Sequence, residues 1–107
     1  MTHADPRPLD RARAEKYVGM ARRAFDSVEE AGRSGCTHSA RDILSMSSSY
    51  IADAERFLAS GALADAFACA NYAHGWLDAG VRLRLLRAVA NPELFASDTD
   101  SRRDPSP

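Results

Sequence analysis

The feature that most limits how this chain can fold is a spacing. In three stretches, apolar residues return every third or fourth position, the interval that lines one face of an α-helix, and glycine-bearing breaks separate the stretches. The first begins at Leu9. Tyr17, Met20, Ala21, Ala24, Val28 and Ala31 form its stripe, and Val18 and Phe25 widen it. Asp10 stands where a carboxylate can accept from the free amides of a first turn. Gly32 stands where a left-handed residue would close the helix. "GRSGCTH", residues 32–38, then reads as a polar connector.

Ser39 and Asp42 resemble a capping box that opens a second helix running to about Ser60. Ile43, Met46, Ser47, Tyr50, Ala54 and Phe57 mark its face, with Ile51 and Leu58 beside them. The serine run "SMSSSY" lowers helix propensity, yet the apolar spacing continues through it. "SGA", residues 60–62, is a tight stop and restart. A third helix is predicted from Leu63 to Ala90, where Asn91-Pro92 breaks it, because the residue before a proline is pushed out of the helical region. Its stripe is Leu63, Phe67, Ala70, His74, Leu77, Val81 and Leu85.

No alternating strand pattern and no repeat array is present. The expectation is an all-α protein, a three-helix up-and-down antiparallel bundle with a long third helix. Residues 1–8, with Pro6 and Pro8, are expected to be a flexible arm. Residues 9–90 are expected to form the bundle. Residues 91–107 have the charged, proline-containing composition of a disordered tail, although Leu94 and Phe95 within "PELF" could fold back on the third helix.

With 107 residues, one domain can bury roughly two-thirds of its unfolded surface without metals or disulfides. Cys36 and Cys69 are too few and too isolated for a disulfide framework. A formal net charge of −1 supplies no global field toward nucleic acid. No apolar run approaches the ~20 residues of a membrane span, and "MTHADPRPLD" lacks the apolar stretch of a signal peptide. We therefore expect a cytoplasmic protein with no membrane partner.

The third helix departs from a plain bundle pattern at "NYAHGWLDAGVRL", residues 71–83. Tyr72, Trp76, Leu83 and Leu86 fall opposite the expected core stripe, with Ala79 and Gly80 offering close approach. Aromatic residues in such a place are favoured interface anchors, so these four are the candidate interface; the alternative is that a twist of the bundle, or the crossing of helix one, covers Trp76. Asn71, His74 and Asp78 form a candidate polar cluster, since residues three and four apart share a helix face. Its structural reading, a histidine satisfied by nearby groups, outranks an acid–base role, because no nucleophile accompanies it. There is no HxxxH, CxxC or ExxH pair, and Cys36 with His38 does not make a zinc site. No glycine-rich phosphate loop follows a strand. No catalytic residue, metal or cofactor is therefore expected. Arg22, Arg23, Arg82, Arg84 and Arg87 are interspersed with acidic residues, which makes nucleic acid the minor option.

"RAEKYVGMARRAF" in the first helix and "YIADAERFLASGALADAFACANYAHGWLDAGVRLRLL" across the other two resemble the archaeal domain of unknown function 357 over roughly residues 11–87. Gly61-Ala62 stands at the turn between helices two and three, where related chains tend to carry a charged residue. The resemblance implies a compact three-helix up-and-down bundle in an archaeal cytoplasmic protein. It implies no catalytic residue and no cofactor.

The expected function is a non-enzymatic helical interaction module, self-associating as a homodimer or binding a protein partner through helix three. The alternative is an RNA- or nucleotide-binding accessory domain partnering a nucleotidyltransferase-like protein. The third-helix arginines and the Asn71–His74–Asp78 cluster motivate it. An enzyme using His74 and Asp78 ranks last.

Overall fold

The computed structural model describes residues 7–96. Helix α1 spans Arg11–Asp26, α2 Thr37–Ser60 and α3 Leu63–Arg82. They form the up-and-down antiparallel bundle that the apolar spacing predicts. Two short strands, β1 Val28–Glu30 and β2 Leu86–Ala88, and a 3-10 turn at Pro92–Leu94 complete the fold. Residues 1–6 and 97–107, which hold most of the expected arm and tail, lie outside the described residues.

Asp10 caps α1 as expected, its Oδ1 accepting from the Arg13 N–H at 2.9 Å. The helix does not reach Gly32. It ends at Asp26, where the Ser27 hydroxyl donates to the Arg23 carbonyl at 2.6 Å. Val28, Glu29 and Glu30 then pair antiparallel with Ala88, Arg87 and Leu86. Val28 and Ala31 thus leave the helical stripe on which their spacing placed them. The amide bonds that reward this departure come from a strand far along the chain, and three residues are too few to display alternation.

Helix α2 starts at Thr37, with Cys36 in the cap position and no side-chain cap bond. Ser39 and Asp42 lie inside the helix and are not a capping box. The serine run is helical. Ser47 is fully buried and donates to the Ile43 carbonyl of its own helix at 2.8 Å, which satisfies its hydroxyl without a partner from another element.

The ends of α2 and α3 use one device. At the first, Gly61 is left-handed (φ 85°), and the N–H groups of Gly61 and Ala62 donate to the carbonyls of Leu58 and Phe57 at 3.1 and 2.9 Å. At the second, Arg84 is left-handed (φ 63°), and the N–H groups of Arg84 and Leu85 donate to Val81 and Gly80 at 3.0 and 2.9 Å. Both are Schellman closures, in which the left-handed residue is usually glycine. Because arginine holds that position here, nothing in the sequence marks the stop. Helix α3 ends at Arg82 instead of running to Ala90, and the chain turns into β2.

The buried line of α3 is Ala66, Ala70, Ala73, Leu77 and Gly80. At 3.6 residues per turn this lies about 60° around the helix from the predicted stripe. Helix α3 packs between two neighbours. On one side Phe67 meets Tyr17 of α1 edge-on, centroids 4.9 Å apart. On the other Tyr72 meets Tyr50 of α2 at 4.6 Å. A helix with two neighbours puts its smallest residues between them and its large ones to either side. The alanines of α3 face Val18, Ala21, Ile51 and Ala54 in one core cluster. At the other end, Ile43, Leu77, Leu86, Leu94 and Phe95 form a second cluster with Ala24 and Ala40.

Candidate docking surface

The outer surface of α3 carries Ala64, Ala68, Asn71, Tyr72, Gly75 and Ala79, with Leu83 just past its end, all exposed; Tyr72 stands at its edge, where it meets Tyr50 of α2. Between Asp65 and Asp78 no charged residue interrupts it. The outer surface of α1 carries Arg11, Glu15, Lys16 and Arg23, and that of α2 carries Arg41, Asp42, Glu55 and Arg56 toward its ends with the polar Ser45, Ser48 and Ser49 between them. Charged and hydroxyl side chains keep a solvated helix face from associating, and the middle of α3 exposes alanines, a glycine and a tyrosine where α1 has charges and α2 has serines.

Four sequence-predicted interface residues end up in different settings. Tyr72 is 53% exposed and Leu83 60% exposed. Trp76 is half-buried, its inner edge against the second core cluster. Tyr72 stands edge-on to Trp76, centroids 6.3 Å apart, so Tyr50, Tyr72 and Trp76 make an aromatic row along the junction of α2 and α3. Leu86 is not part of the face. It is 2% exposed, because α3 has already ended and β2 turns the side chain inward. Gly80 also belongs inside. A Cβ there would sit 2.7 Å from Leu86 Cδ1 and 3.3 Å from Ile43 Cγ2, so its close approach serves the core. Gly75, by contrast, has open space where a Cβ would be. Asn71, Tyr72, Gly75, Trp76 and Ala79 line a shallow groove of about 340 Å³. The periodicity overlooked Ala64 and Ala68, because alanine counts weakly in an apolar pattern.

The polar residues do not form one cluster. Among the described residues no hydrogen bond joins Asn71, His74 and Asp78. Asn71 is exposed at the groove. His74 Nε2 lies 2.5 Å from the Leu94 carbonyl. A carbonyl only accepts, so the ring carries its proton on Nε2. Asp78 Oδ1 accepts from the Ala96 N–H at 2.9 Å. Phe95 lies edge-on to His74 at 6.2 Å, and Leu94 and Phe95 are both buried. Asn91 donates from Nδ2 to the Ser27 hydroxyl at 2.8 Å. The expected tail therefore begins as packed structure, and His74 and Asp78 clasp its backbone to α3.

Little else offers chemistry. Burial, followed by the nearby Asp53 and Asp65 charges, pushes the Cys69 thiol above its ordinary range, which disfavours the reactive thiolate. Among the described residues no group of three or more His, Cys, Asp or Glu side chains could hold a metal ion. No described helix is long and apolar enough to cross a membrane.

Comparison with known proteins adds one match. The model of a family described as "Protein of unknown function (DUF357)" covers residues 16–86, all of α2 and α3 and most of α1. No curated protein matches the chain, and no solved structure does.

Proposed function

The chain belongs to the DUF357 family, and we propose that it is a helical docking module that presents the outer face of α3 to a protein partner. One observation carries this reading: the middle of that face is uncharged and holds a half-exposed tyrosine beside an open groove. Burying an exposed aromatic side chain and the alanines beside it releases roughly 25 cal/mol per Å² of apolar surface. Tyr72 offers this at low entropic cost, since its ring already rests against Tyr50 and Trp76. The reading calls on no catalytic group, in keeping with His74 and Asp78 holding the C-terminal segment.

A photo-crosslinking residue tests this face. Placed at Ala68 or Ala79, it is expected to give a discrete protein adduct under native conditions. Placed at Glu15 or Arg23 on α1, it is expected to give none. Equal labelling from both helices, or none from α3, would overturn the proposal.

A further inference from the structure

The outer face of α3 has a spacing that reads the same from either end, three and four residues in alternation through Asp65, Ala68, Tyr72, Gly75, Ala79 and Arg82. Consider a two-fold axis passing beside the helix midway between Ala73 and His74. It brings a second copy of α3 alongside in the opposite direction, as an isologous contact requires. Residues equally far from the midpoint then stand at the same height. Asp65 meets Arg82 of the second copy, Ala68 meets Ala79, and Tyr72 meets Gly75. All six are exposed. Opposite charges face each other at both ends, small residues face each other inside them, and the largest side chain faces a residue with none. Gly75 has open space where a Cβ would be, room that a tyrosine ring can use.

From this order we propose that the partner of the docking face is a second copy of this chain, with the two α3 helices antiparallel and crossing near Ala73 and His74. The inference rests on the docking reading and names its occupant. Asp65 and Arg82 supply the charge complementarity. Among the described residues neither side chain is in an ion pair, so both are available to a second copy. A parallel pair would instead set Asp65 against Asp65 and Tyr72 against Tyr72, repelling at the ends and crowding at the centre. The closest helix packing, with axes about 8 Å apart, needs small residues at the contact, and Ala68, Gly75 and Ala79 provide them on both helices.

Charge exchange tests the geometry. Sedimentation equilibrium is run on the full chain, on Asp65→Arg, on Arg82→Asp and on the double variant, with circular dichroism confirming the helical content of each. Each single variant sets like charges against each other twice and is expected to weaken the dimer by about tenfold. The double variant restores the opposition and is expected to return to within about twofold of the wild type, although both new charges oppose the helix dipole. Two outcomes overturn the antiparallel pair: double-variant losses that simply add, or a dimer indifferent to all three changes. A wild type monomeric at every concentration also overturns it. The docking reading would still stand if crosslinks from Ala68 and Ala79 then carried a different protein, and would fall with it if they carried none.

Discussion

Arg84 shows how a single residue can set an element boundary without announcing itself. A non-glycine residue in the left-handed region costs roughly 1–2 kcal/mol, yet Arg84 holds that conformation at φ 63° because two backbone bonds close α3 around it. Arg84→Gly should therefore raise unfolding stability by about 1 kcal/mol, less what the added freedom of the unfolded chain takes back. Chemical denaturation would read this directly. A loss of stability would mean that the arginine side chain outweighs the strain of its backbone. This position also marks where the sequence ceased to be legible. Gly61, in the same closure one helix earlier, was visible as a stop. With arginine in that place, the apolar spacing of Val81 and Leu85 simply ran on. Leu86 was carried with it onto an outer face that it does not occupy.

At the scale of elements, the existence of the three helices was legible because helical periodicity is a local property. Their faces were less so. The alanines that let α3 nest between α1 and α2 weigh little in a hydrophobic pattern, so the expected stripe settled on Phe67, His74 and Val81, to one side of the buried line. The strands were invisible because each is made by the other. Gly80, where α3 meets β2, makes this contact testable. A methyl group there would press on Leu86 and Ile43, so Gly80→Ala should cost about 1–3 kcal/mol by overpacking, against the helix propensity it gains. Gly75→Ala, in open space on the same helix, should stabilise the monomer by up to about 1 kcal/mol. Thermal melts of the two variants in opposite directions would separate the inner and outer faces of α3. The C-terminal clasp gives a third test. Asp78→Ala removes the acceptor of the Ala96 N–H, so hydrogen exchange at Ala96 should accelerate while the α2 core amides stay protected. Uniform loss of protection would mean that the clasp is inseparable from the bundle.

On the scale of the whole molecule, two readings of "NYAHGWLDAGVRL" are reconciled by its place in the bundle. Its histidine holds the last residue of the 3-10 turn, and its aspartate holds the chain that follows. Trp76 joins core to surface, and Tyr72 stands outward with Gly75 beside it. The candidate site was half legible. Tyr72, Trp76 and Leu83 could be read from the helical wheel. The small residues that set an exposed tyrosine in the proposed docking face became apparent only once the buried line was located. The central claim is that this face brings two copies of the chain together, and solution mass tests it most directly. Light scattering behind size exclusion would be run on wild type and Tyr72→Glu over a range of concentrations, with circular dichroism on both. The account predicts that the wild type rises above its monomer mass of 11.6 kDa toward twice that value with increasing concentration. Tyr72→Glu should stay monomeric with its helical content unchanged. A dimer that survives Tyr72→Glu intact, or a wild type that never leaves the monomer mass, would contradict it.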